Sequence, residues 1–132
     1  MTQTQHAKTW HDFVLDAKSR IREVQQDELR QWISESKEMT IIDVREPNDH
    51  VHSRIEGSTN IPRGVIELEI EDTVPNKDKT VVLYCGGGGR SALAADVLQQ
   101  MGYSQVYSLQ GGYKMWKEKP YPALDYDGTT SQ

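Results

Sequence analysis

The chain has 132 residues, the length of one ordinary domain, and 36% hydrophobic with 27% charged residues is a globular balance. No apolar run approaches the roughly 18 residues of a helical membrane span, so a transmembrane protein is excluded. With 15 Lys+Arg against 20 Asp+Glu the net charge is -5 and no basic block offsets it, which argues against nucleic acid as a partner.

The first eight residues are polar, and nothing in MTQTQHAKTWHDF reads as a secretory signal, so a cytoplasmic protein is expected. Thr9-Trp10-His11-Asp12 can open a helix on which Phe13, Val14 and Ala17 recur near helical spacing. Residues 21–24 read as a short strand, and Asp27 as the cap of a helix with Leu29, Trp32 and Ile33 on one face. Met39 to Val44 is an apolar run rich in β-branched residues, the pattern of a strand covered on both faces.

Pro47 suits the first turn of a helix reaching about Arg54; residues 57–61 read as extended and 64–72 as a short helix. Residues 75–79 form a turn, 80–84 a second buried strand, and 91–101 a helix with Ala92, Ala95 and Leu98 inward and Gly102 at its stop. A strand over 105–109 and a last helix from Gly111-Gly112 through Met115 and Trp116 follow, and the chain from Tyr121 reads as a loose polar tail. Strands alternating with helices predict an α/β layer fold around a mostly parallel sheet. The expected organisation is a helical extension over 1–20, one domain over 21–120 and a tail over 121–132.

Cys85 is the single cysteine, which excludes an intrachain disulfide and a multi-thiolate zinc site. His6, His11, His50 and His52 show no metal-ligand spacing and read as solvated, so neither metal nor cofactor is expected. Cys85 ends a buried strand and is followed by Gly86, Gly87, Gly88, Gly89 and Arg90, with a helix starting directly afterwards. Backbone N–H groups of such a loop, the positive end of the helix and the Arg90 charge would all stabilise a thiolate. An inert core thiol needs none of these features, so the functional reading is preferred. A nucleotide loop is the weaker reading of the glycines, because no Lys-Ser/Thr follows them.

Arg90 has two readings, anion binding or bracing of the loop through Asp43 or Glu46. Asp43 and Glu46 read as bracing groups rather than an acid/base pair, Trp32 and Trp116 as core, and Arg63 as a solvated surface charge.

Four ordered blocks carry a resemblance to the rhodanese-like, single-domain sulfurtransferase family over about residues 21–120. They are Ile41-Ile42-Asp43-Val44-Arg45-Glu46-Pro47, Ile55 to Pro62, Tyr84-Cys85 with Arg90-Ser91, and Gly111-Gly112-Tyr113 with Trp116. The resemblance implies a five-stranded, mainly parallel sheet flanked by helices. It also implies that Cys85 accepts sulfane sulfur as a persulfide, with thiosulfate as donor and cyanide or a protein thiol as acceptor. The family's active-site loop carries over to Cys85 through Arg90, and its strand-end supporting pair to Asp43 and Arg45.

Two departures stand out: Ser53-Arg54 precede Ile55 where members often have Gly-His, and the loop has no side chain before Arg90. Two rival functions remain. One is an oxyanion-handling phosphatase or arsenate reductase of related fold, whose loops resemble Cys and Arg separated by five residues, whereas four separate Cys85 from Arg90. The other is a non-catalytic interaction module, a type that commonly lacks the cysteine.

Overall fold

The computed structural model describes residues 7–125; the expectations for residues 1–6, including His6, and for 126–132 lie outside it. Helix α1 (Trp10–Lys18) is opened by Thr9, whose hydroxyl accepts from the Asp12 N–H while the Asp12 carboxylate accepts from the Thr9 N–H. Val14 and Ala17 are buried, whereas Phe13 faces outward. Strand β1 (Arg22–Val24) follows, then α2 (Gln26–Ser34), whose N-cap is Gln25. Asp27 therefore sits in the first turn rather than at the cap, where its charge still complements the helix dipole.

Strand β2 (Thr40–Asp43) leads into α3 (Pro47–His52), with Pro47 in the first turn. The chain continues through β3 (Ser53–Ile55), β4 (Thr59–Asn60), a 3-10 turn (Arg63–Val65) and α4 (Ile66–Thr73). Strand β5 (Thr80–Tyr84), α5 (Gly89–Gln100), β6 (Gln105–Leu109), α6 (Gly112–Trp116) and β7 (Ala123–Asp125) complete it.

Five strands form one sheet in the order β1-β6-β5-β2-β4, and every pairing within it is parallel. Side chains alternate across β5, so Val81, Leu83 and Cys85 face the core layer with Ala94, Ala95 and Leu98 of α5 and Ile66 and Ile70 of α4. Val82 and Tyr84 face the opposite layer with Leu29 of α2 and Tyr113 and Trp116 of α6. Burial on both faces explains why the β2 and β5 sequences read as continuous apolar runs.

The loose tail is corrected. Ala123 to Asp125 pairs antiparallel with Ser53 to Ile55 in a separate two-stranded ribbon, and the Trp116 indole donates to the Pro122 carbonyl at 2.9 Å. Trp116 is fully buried, as its helical position suggested, while Trp32 is half-buried and meets Tyr107 edge to face. Among the described residues no helix is long and apolar enough to cross a membrane.

Candidate active site

Parallel strands deliver their carboxyl ends to one edge of a sheet, where loops can converge on a ligand. Strand β5 brings Cys85 to that edge on the face shared with α5, so the thiol points toward the first turn of that helix. The cysteine is 1% exposed. Its Sγ accepts from the Gly88 N–H at 3.1 Å and the Ser91 N–H at 3.4 Å, and the Ser91 hydroxyl lies 3.5 Å away. Ser91 Oγ is itself 2.8 Å from Ser108 Oγ on β6, which fixes the hydroxyl beside the sulfur.

Gly88 is the N-cap of α5 at φ +102, a conformation that a side chain would strain. Among the described residues, nothing accepts the N–H groups of Gly86, Gly87, Gly89 or Arg90. Four unspent donors and the start of a twelve-residue helix therefore lie next to the thiol. Such a set can hold an anion.

The loop is gripped from its other side by α6. The N–H groups of Tyr113 and Lys114 donate to the carbonyls of Cys85 at 2.8 Å and Gly86 at 3.0 Å. Close approach is possible because residue 112 is glycine: a Cβ there would sit 2.4 Å from the Gly86 oxygen and 2.6 Å from the Cys85 oxygen, at φ +60. Gly112→Ala is accordingly expected to destabilise the fold by about 2–4 kcal/mol through overpacking and backbone strain. Urea unfolding measures it; a loss below about 0.5 kcal/mol would mean that α6 does not hold the loop.

Asp43 and Arg45 come together as a buried pair. The Arg45 Nη2 lies 2.7 Å from Asp43 Oδ2, its Nε and backbone N–H both donate to Oδ1, and Nη2 also donates to the Ser53 carbonyl at 2.6 Å. The guanidinium lies over the Tyr113 ring at 4.7 Å and the Tyr84 ring at 5.7 Å. No hydrogen bond among the described residues joins Asp43 or Arg45 to residues 85–90. The pair reaches the site through the residue before Cys85 and the residue that holds the Cys85 carbonyl.

His50 departs from its reading as a solvated surface residue, since its Nδ1 is 2.9 Å from Asp43 Oδ2 and its side chain is largely covered. Burial alone would raise the Asp43 carboxyl, but hydrogen bonds from Arg45 and His50 outweigh it and hold the group below the usual carboxylate range. The folded value being the lower one, the stabilisation is complete above the unfolded value of about 3.9 and is lost as pH falls through the folded value. Melting midpoints of the parent and Asp43→Asn should therefore differ most near neutrality and approach each other below about pH 4. A gap that is the same at pH 3 and pH 7 would contradict this.

Arg90 does not pair with Asp43 or Glu46, which corrects the bracing reading: among the described residues it has no hydrogen bond or ion pair. It is half-buried and lines the cleft that reaches Cys85. Arg63 is also not the solvated charge expected of it, being partly covered, with Nε buried and without a partner.

A family model for the rhodanese-like domain matches residues 25–119. The chain belongs to the rhodanese-like domain family. This rhodanese-like domain is 29% identical over 108 residues to a sulfurtransferase of Allochromatium vinosum, covering 82% of the chain and 99% of that protein. It is 35% identical over 97 residues to MoeZ of Mycobacterium tuberculosis, described as a probable adenylyltransferase/sulfurtransferase. That match covers 74% of the chain but 25% of MoeZ, so the chain spans a quarter of that relative's length. A solved Rhodopseudomonas palustris structure, described as a possible tyrosine phosphatase, superposes with a TM-score of 0.78 at 31% identity. It covers 92% of the chain and 98% of that protein.

Sequence reasoning missed His50 and Ser108, and also Trp10 and Lys18, which line the same cleft as Cys85 and Arg90. Ser91 stood in the quoted motif without a role. Ser108 carried no local signal, because its partner lies 17 residues away. Trp10, in contrast, was an aromatic at the first helical position and an available signal.

Proposed function

We propose that the protein is a sulfurtransferase that moves sulfane sulfur through a persulfide on Cys85. The observation that carries the reading is the buried Sγ beside four unspent backbone N–H groups and the partnerless Arg90. In the forward half-reaction the Cys85 thiolate attacks the outer sulfur of thiosulfate. The sulfur–sulfur bond of the donor breaks, sulfite departs with its electron pair, and Cys85 carries a perthiolate.

Gly86, Gly87, Gly88, Gly89 and Arg90 supply N–H groups and a cation to that terminal sulfur. In the return step cyanide or a protein thiolate attacks the terminal sulfur, and the Cys85 thiolate is regenerated. Asp43 and Arg45 support the loop through Tyr84 and Tyr113. No general acid is required by either step, and no cofactor is invoked. The Allochromatium sulfurtransferase and MoeZ support this reaction class, and a protein thiol as acceptor suits a cytoplasmic setting rich in reduced thiols.

Mass spectrometry after thiosulfate exposure tests the reading: the expected result is the gain of one sulfur on Cys85, removed by cyanide. No gain would favour a non-catalytic module. The Rhodopseudomonas likeness supports a second reading, oxyanion handling. Protection of Cys85 from alkylation separates the two, since a sulfurtransferase should be protected weakly by phosphate or arsenate and an oxyanion enzyme strongly.

A further inference from the structure

Helix α1 lies outside the residues matched by the family model, yet it is fixed to the domain and forms one wall of the reactive cleft. Val14 and Ala17 are buried against the domain, and the Gln99 side-chain amide donates to the Arg20 carbonyl at 3.0 Å. Arg20 makes two hydrogen bonds to the carboxylate of Asp96 on α5, at 3.0 and 2.8 Å. This clamp sets α1 in a defined position.

Its consequence is seen at Trp10. The indole lies on the backbone at Gly89, so close that a Cβ at residue 89 would be 2.3 Å from Cη2. The ring is still 58% exposed, its remaining surface forming part of a cleft that also reaches Cys85 and Arg90. Val14 and Leu15 continue the apolar wall, and Lys18 at its far end is held by Glu23 at 3.6 Å, which leaves Arg90 as the cation of the cleft without a partner among the described residues.

The cleft has a volume of about 350 Å³, within the range of about 300–1,000 Å³ of small-molecule sites. One water occupies about 30 Å³ of liquid, so an inorganic tetrahedral anion would leave most of this space unfilled. Apolar surface on the α1 wall, the Arg90 guanidinium on the facing loop and the thiol at the base define a complementary ligand. It has an anionic sulfur-bearing head and an apolar or aromatic body.

We propose that α1, through Trp10, selects an organic sulfur donor of the thiosulfonate or organic-persulfide class, stacking its body on the indole while its anionic head faces Arg90. This rests on the sulfur-transfer reading of Cys85. With benzenethiosulfonate as the probe, the Cys85 thiolate attacks the terminal sulfur, the donor's sulfur–sulfur bond breaks and benzenesulfinate leaves with the electron pair. The same perthiolate forms as from thiosulfate, and the negative charges balance.

The experiment compares kcat/KM for benzenethiosulfonate and for thiosulfate, with cyanide as acceptor, in the parent, Trp10→Ala and Trp10→Phe. The parent is expected to favour the aromatic donor, and Trp10→Ala to lower that preference by about three- to tenfold, the range of one aromatic stacking contact. The change should fall on KM rather than kcat, and Trp10→Phe should keep most of the preference. A parent without the preference, or a Trp10→Ala variant in which both donors fall in proportion, overturns the role of Trp10 while leaving sulfur transfer standing. If neither donor loads sulfur on Cys85 of the parent, the sulfur-transfer reading fails and this inference with it.

Discussion

Replacing Cys85 with serine is expected to lower sulfur transfer by about a thousandfold or more, the scale of losing the nucleophile of an enzyme. The fold should survive, because Cys85 is 1% exposed in a pocket whose hydrogen bonds are donated by Gly88 and Ser91, and a serine oxygen accepts the same bonds. The hydroxyl is smaller and cannot carry a persulfide. The melting midpoint and the mass change after thiosulfate exposure therefore answer different questions on one sample. Residual activity above a tenth of the parent's would end the assignment of Cys85 as sulfur carrier.

Asp43→Ala is expected to cost about 3–5 kcal/mol, because it strands a buried guanidinium. The Arg45 side chain is 10% exposed, and without the carboxylate it retains only the Ser53 carbonyl and the two tyrosine rings. For a chain of this size the melting midpoint should fall by about 10 °C or more. Sulfur loading should fall as well, since Asp43 pairs in register with Tyr84 and Arg45 rests on Tyr113, which holds the Cys85 carbonyl. Replacing both members by apolar residues should recover much of the stability. A single variant within 1 kcal/mol of the parent would show that the pair is dispensable.

Strands covered on both faces were legible because burial leaves runs such as Ile41-Ile42 and Val81-Val82-Leu83 with no polar interruption. The glycine run after Cys85 was legible for a different reason: no regular element tolerates it without an entropic cost. The ribbon between Ser53–Ile55 and Ala123–Asp125 was not, because three-residue strands carry too little periodicity and their partners are far apart in sequence. Asp43 and Arg45 were named as a pair by the resemblance alone and do meet, but His50 was missed as a neighbour of Asp43 because one turn of α3 brings it back to the strand end. Arg90 was offered a partner it does not take; charge and proximity in sequence say nothing about which way a side chain turns at a helix start.

The four glycines of the loop are not equivalent, and this decides where the protein can acquire new chemistry by mutation. Gly88 is committed by its dihedral angle and Gly89 by the indole above it, so changes there disturb the reaction centre itself. A Cβ at Gly87 would meet nothing within 4 Å, and one at Gly86 would touch only the Arg90 guanidinium at an ordinary 3.6 Å. Of these two open positions, Gly87 lines the cleft that reaches Cys85. A serine, asparagine or small apolar residue at 87 would line that cleft while meeting no neighbour, and one at 86 would touch the Arg90 side chain. The loop thus holds its anion-binding donors in the main chain and its room for change in two positions that carry no side chain.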